Sequence, residues 1–468
     1  MHLTITHIIS LLITTCFVIG CGIYSARSVK SVEGFNLGGR SSSVKLVAGS
    51  IAGTSIGGGA TIGTAQMAYS FGLSAWWFTL GMGIGFILLA IFYARPLRKS
   101  ALETIPQYLV LNYGKTAGPV VSLISSSGMF FACVSSVLPG ILIISTITNT
   151  PPYVAAILLM LLIASYVYFG GMKGAGVSGL LKAILIWFTL FIAGAFAFTD
   201  LYAMHNFHTV FAASYWFNLF DGGTEKTLAS LFSLIVGVIC SQTYIQALFS
   251  ASDEKTAATG AIVAAAITIP VGLPSVAIAM FMHANQPDTL PMLVLPIYLI
   301  NYLPPVFSGI ALAGILLSIV SSTAGQALAI GTILSKDIIG TLFHVTDNAK
   351  LLWTNRATIV LTAIGVSLFS ILHLHSQILE WNYLSMALRG GGVFLPLTIA
   401  IFKPHYLSPD WAVASMLIST LLALVSNSLI PLPLSPLFIG IITSSSIICI
   451  GLIATHHHIF SHNSMLKK

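Results

Sequence analysis

A chain of 468 residues that is 56% hydrophobic and only 7% charged cannot have water as the main solvent of its surface, because a soluble chain carries roughly a quarter charged residues. That excludes soluble enzymes and soluble binding modules. The five cysteines (Cys16, Cys21, Cys133, Cys240, Cys449) all lie in apolar runs without paired spacing, which argues against a disulfide framework or a zinc site.

A helix needs about 20 apolar residues to cross a bilayer core, so the stretches between charges read as spans. Residues 1–26 hold one. Cys21 follows Val18-Ile19-Gly20 as in a lipoprotein cleavage box, but residues 1–20 contain no Lys or Arg, so the basic region of a signal peptide is missing. Residues 46–94 hold two spans, broken near Ser70-Phe71-Gly72, and 116–172 hold two, broken near Asn149-Thr150-Pro151-Pro152. Residues 174–199 hold one, with Lys182 inside it. Residues 227–252, 256–287, 306–335, 357–379 and 381–402 hold one each, and 411–466 hold two, hinged at Pro431-Leu432-Pro433. The expectation is an all-α membrane protein of about thirteen transmembrane helices, forming a single transmembrane domain over 1–468.

The charges orient it. With the N-terminus outside and the C-terminus inside, all 19 Lys and Arg fall in inside loops except Lys226, which is outside, and Lys182 and Arg389, which are within spans. This satisfies the positive-inside rule at every loop. The formal charge of +7 is therefore topology, with no nucleic-acid partner, and the location is the plasma (inner) membrane, multi-pass. The histidines of the tail (His456, His457, His458, His462) read as a solvated interfacial cluster rather than a metal site.

Two motifs imitate enzymes. Gly53-Thr54-Ser55-Ile56-Gly57 fits a nucleophile elbow, but that needs a strand–turn–helix with His and acid partners, and this stretch lies in an apolar span. Gly174-Ala175-Gly176-Val177-Ser178-Gly179 fits a dinucleotide fingerprint, but no βαβ unit surrounds it. It reads as a glycine cluster opening a helix. With no paired carboxylates or histidines at depth and no P-loop, neither an enzyme nor an ATP-driven pump is expected, and no cofactor.

The second span carries Gly49, Gly53, Gly57, Gly59 and Gly63, with Thr54, Ser55, Gly58 and Thr61 between them. Four-residue spacing of small residues lets helices approach closely, while Gly57-Gly58-Gly59 near mid-span points to an interruption whose freed carbonyls must face a cavity or an ion. The ninth span carries Ser318, Ser321, Ser322 and Thr323, and hydroxyls at i, i+3 and i+4 share a face. Hydroxyls and free carbonyls suit a hard cation.

The chain resembles the sodium:solute symporter family, which has the leucine-transporter fold. The resemblance is carried by Ser31-Val32-Glu33-Gly34-Phe35-Asn36-Leu37-Gly38-Gly39-Arg40 and Ile62-Gly63 through Tyr69-Ser70-Phe71-Gly72-Leu73. It continues in Gln242 and Gln246 before Ala251-Ser252-Asp253, and in Ser321-Ser322 through Ser335-Lys336-Asp337. It implies two inverted five-helix repeats, spans 2–6 and 7–11, and cation-coupled symport of a small organic solute by alternating access, by a monomer. It also implies a sodium site from the carbonyls of Gly53 and Ile56 with Ser318, Ser321 and Ser322. Solute contacts are expected at Ser55, Gly57, Gly58, Gly59, Thr61 and Gln242.

Departures from the family pattern matter. Where many members have an aspartate and then a glutamine early in the fifth core helix, this chain has Gly179 and Lys182. An ionisable residue in a span is a functional candidate because it is costly, and a buried amine can exchange a proton at working pH. Lys182 thus raises a proton-coupled or sodium-independent carrier as the alternative. Leu234-Ile235-Val236-Gly237-Val238 lacks the aromatic gate of the sugar-transporting members. Arg389, before Gly390-Gly391-Gly392, is expected to hold a carboxylate or to act in a structural pair. A transporter-like sensor is the rival from another class; it would need a soluble output domain, and the tail after Thr455 is 13 residues.

Overall fold

The computed structural model describes residues 3–26, 32–204, 207–220, 223–345, 347–428 and 434–465. Arg27, Lys30, Lys467, Lys468 and the hinge at Pro431-Leu432-Pro433 lie outside the described residues, as do the side chains of Lys173, Lys226, His456, His457, His458 and His462.

The described chain is helical, and its only β element is an isolated parallel bridge between Ser42 and Ala251. In chain order the principal helices are α1 (Ile5–Ala26), α2 (Val44–Ser55), α3 (Thr64–Phe71), α4 (Trp77–Leu88), α5 (Ala117–Thr148), α6 (Pro152–Tyr202) and α7 (Thr224–Ile239). They continue with α8 (Gln242–Ser250), α9 (Glu254–Asn285), α10 (Pro305–Ile333), α11 (Asn348–Leu372), α12 (Ile378–Phe402), α13 (Pro409–Ser428) and α14 (Pro436–Met465). Helix occupies each stretch read as a span. Among the described residues nine helical runs are long and apolar enough to cross a membrane unaided, and the bent pair α7–α8 makes a tenth.

The turns sit where the sequence breaks. Gly72 ends α3 with φ +59°, a conformation that costs glycine little, and a Cβ there would stand 2.4 Å from the Trp216 carbonyl oxygen. Asp253 caps α9, its Oδ1 accepting from the Thr256 N–H at 2.8 Å. That bond, with the Thr256 and Ser252 hydroxyls, holds its carboxyl down at about 2, so the cap keeps its charge.

α6 is the surprise. As a straight rod its 51 residues would run about 76 Å, and Tyr166 and Ser178 would stand about 18 Å apart along it. Their hydroxyls touch. The run is therefore folded sharply between them, separating Pro152–Tyr166 from Gly176–Tyr202, which is the division read from the sequence.

Two helices are interrupted at depth. α2 stops at Ser55 and resumes through a π turn, Gly59–Gly63, into α3. α7 and α8 are separated by Cys240 and Ser241 and bent by 42°. These are the first helices of the two expected repeats, the placement that marks a binding site in inverted-repeat transporters. α1 packs outside α6 and α10, while α13 and α14 pack on α12.

Candidate functional site

The site is built from the first interruption. Ile56 leaves the helix at φ −82°, ψ 75°, and the Gly57 amide turns to the Ser55 carbonyl. The carbonyls of Gly53, Thr54 and Ile56 thus lose the amides that would pair them in a continuous helix, and in lipid such groups need partners. α10 supplies them: the hydroxyl of Ser321 donates to Gly53 O at 3.3 Å, Ser322 to Thr54 O at 2.5 Å and Ser318 to Ile56 O. The serine cluster meets the broken helix, the partner that the family resemblance implied for it.

A third helix reaches the same point. Lys182 on α6 is fully buried, and its Nζ donates to Ile56 O at 2.9 Å and Ser318 O at 3.1 Å. Neither ion pair among the described residues involves it. Gly179, one turn earlier, explains how α6 comes so close: a Cβ on Gly53 would lie 2.6 Å from the Gly179 Cα, and one on Gly179 would lie 2.4 Å from Gly49 O. Gly49 faces Gly176 in the same way, 2.6 Å from its carbonyl. The dinucleotide-like motif is thus a packing face, and Gly49 and Gly53 serve close approach while Gly57-Gly58-Gly59 form the interruption.

Of the five oxygens expected to surround sodium, two, Ile56 O and Ser318 O, accept from the lysine amine. The Ser321 and Ser322 hydroxyls point their protons at backbone carbonyls. The expected solute contacts are also engaged. Ser55 Oγ bonds Ala52 O and Thr268 Oγ1, and Thr61 Oγ1 bonds Gly57 O. Gly57 lies against Ser322 and Ser136, Gly58 against Pro139, and Gly59 against Asn382 and Phe78. Sequence reasoning missed Asn382, which bonds Ser135 Oγ at 2.5 Å; the available signal was a buried amide in an apolar span.

Arg389 on α12 reaches the second interruption. Its Nη1 donates to Ser241 Oγ at 2.7 Å, its Nη2 to Ser385 Oγ at 2.9 Å and its Nε to Ser385 O at 3.1 Å. Three of five N–H bonds are thereby used, and neither ion pair among the described residues includes it.

Gln242 lies away from the crossing. Its Oε1 accepts from Ile105 N at 2.8 Å and its Nε2 donates to Glu103 O at 2.9 Å, pinning a loop on the expected inner side. Gln246 donates to Asn36 O and Thr332 Oγ1, Asn355 to Asn36 Oδ1, and Gln107 to Asp337 Oδ1. Lys336 pairs with Glu103. The Ser42–Ala251 bridge, with Arg98 donating to Ala251 O at 2.7 Å, completes the closure of this end. Gln242→Leu leaves a buried N–H and C=O unpaired, so it is expected to cost about 2–4 kcal/mol. A thermal melt of the purified variant checks this, and an unchanged midpoint contradicts it.

The opposite end is open. Cavities of about 460 and 330 Å³ share Ala229, Ser230, Tyr383 and Ser435. Glu380 and Trp381 line the first, and Phe71 and Trp77 the second; among the described residues no basic side chain lines either.

A family model described as the sodium:solute symporter family matches residues 35–418. The chain belongs to the sodium:solute symporter family. Among its relatives are the human high affinity choline transporter 1, 24% identical over 75% of this chain and 65% of that protein, and the Staphylococcus aureus sodium/proline symporter, 24% identical over 85% of this chain and 81% of that one. The alignments thus cover about two thirds of the length of the choline transporters. A solved Na+-coupled sialic acid symporter, substrate-bound and outward-open, superposes with TM-score 0.79 at 18% identity over 96% of this chain and 97% of that one. A nucleobase-cation-symport-1 family transporter superposes at 0.56 with 12% identity, covering 92% and 96%. This family member therefore has their fold and is a multi-pass protein of the plasma membrane, and its relatives are transporters rather than enzymes.

Proposed function

We propose that the chain is a secondary active transporter that carries a small organic solute by cation-coupled symport, alternating access to a site between its two interrupted helices. The carrying observation is the crossing of α2 and α10, where freed carbonyls and serine hydroxyls meet in the dry interior. Family membership supports sodium as the coupling ion, and the open outer cavities opposite a sealed inner side support an outward-facing resting state. Relatives named for choline and proline, with an acid-and-aromatic vestibule at Glu380, Trp381 and Tyr383, support a solute bearing a cationic nitrogen, because aromatic faces attract such groups. The transporter acts as a monomer, one transport domain per chain.

A second reading is favoured by one observation: Lys182 sits on two of the five expected sodium ligands. Under it the carrier works without sodium at this crossing, driven by protons or by the solute gradient alone.

Proteoliposomes given labelled choline or proline in the external medium under an imposed sodium or pH gradient separate these. Gradient-driven accumulation is expected, with the joint Ser321→Ala and Ser322→Ala variant reduced about tenfold or more. Accumulation unaffected by that variant would remove the crossing from the mechanism, and persistence without sodium selects the second reading.

A further inference from the structure

We infer that the family's sodium seat is filled in this protein by the side-chain amine of Lys182, and that shortening that residue turns the crossing back into a sodium site. The argument is geometric. Lys182 Nζ lies 2.9 Å from Ile56 O and 3.1 Å from Ser318 O, so it occupies the space a cation would share with those two oxygens. It arrives on α6 because Gly179 lets that helix touch α2 at Gly53; no aspartate fits at 179, since its Cβ would strike Gly49 O. The remaining oxygens stay within the same wall. Ser321 Oγ is 3.3 Å from Gly53 O and Ser322 Oγ 2.5 Å from Thr54 O. A hydroxyl is both donor and acceptor, so rotating two O–H bonds turns lone pairs toward the seat once the amine is gone. Hard cations take oxygen ligands of this kind.

Unlike sodium, an amine on a side chain cannot be released with the solute. It staples α2, α6 and α10 together at one point, and the three helices separate only when two hydrogen bonds break. The seat therefore contributes no ion to the transport stoichiometry, whatever ion couples elsewhere.

The inference rests on the second reading, in which no sodium works at this crossing, and binding tests it independently of transport. Equilibrium binding of 22Na+ is measured on purified full-length wild type, Ser321→Ala, Lys182→Ala, Lys182→Met, and Lys182→Ala combined with Ser321→Ala. Lys182→Ala is expected to gain saturable binding, weakened about tenfold or more by adding Ser321→Ala. Lys182→Met, which refills the space without a donor, is expected to match wild type and gain none. Saturable binding in wild type that is lost in Ser321→Ala overturns the inference, and that comparison needs no change at the lysine. So does a monodisperse Lys182→Ala protein that binds no more sodium than Lys182→Met. Failure of solute accumulation in proteoliposomes would sink the transport reading while leaving these binding results intact.

Discussion

Gly179→Ala is expected to destabilise the protein strongly, and Gly179→Asp to prevent its recovery as a monodisperse species. Here α6 meets α2 backbone to backbone. A Cβ on residue 179 would stand 2.4 Å from Gly49 O and 3.0 Å from the Gly53 Cα. No flexible side chain can swing aside, so the helices must part. Overpacking of this kind costs about 1–3 kcal/mol or somewhat more. Parting α2 from α6 would also lift Lys182 from Ile56 O and Ser318 O. The aspartate adds an unpaired buried carboxylate, which costs several kcal/mol more. Melting curves and size-exclusion profiles of both variants give the answer; an alanine variant that melts like wild type would show that the interhelical contact tolerates a methyl group.

Arg389 provides the second large effect, and two substitutions separate its contributions. Arg389→Ala removes a long buried side chain and its hydrogen bonds to Ser241 and Ser385, with an expected loss of about 2–5 kcal/mol by analogy with other large-to-small changes. Arg389→Met keeps most of the volume and discards a buried charge without a salt-bridge partner, so it is expected to melt at or above wild type, since apolar replacement of buried charges is often neutral or stabilising. Its uptake is nevertheless expected to fall about tenfold or more, because the guanidinium ties α12 to Ser241 at the bend between α7 and α8. A methionine variant that melts normally and transports at the wild-type rate would reduce Arg389 to packing.

Most of the architecture was legible because lipid is an unforgiving solvent. Spans show as gaps between charges, and Gly57-Gly58-Gly59 and the Ser318–Thr323 hydroxyls announce themselves by type and spacing within apolar runs. Ser321 and Ser322 donate to Gly53 O and Thr54 O of α2. What pattern alone could not give was the reach of single side chains across the fold. Lys182 was identifiable as costly, but that its Nζ ends on Ile56 O and Ser318 O depends on the closeness of two glycine-lined helices. Gln242 was expected near the solute, yet its partners are Ile105 N and Glu103 O, in a loop far away in sequence. Nothing local to residue 242 encodes that loop. Asn382 was passed over for the same reason: its partner Ser135 lies on another helix.

The pairing of Ser42 with Ala251 has a mechanical implication. It joins the segment entering α2 to the segment leaving α8, so the neighbouring halves of both interrupted helices are yoked by backbone hydrogen bonds at 3.0 and 3.1 Å. Either half swinging alone would have to shear that yoke. With it intact, the two halves are coupled into one lever, and any tilt of one about its interruption carries the other with it.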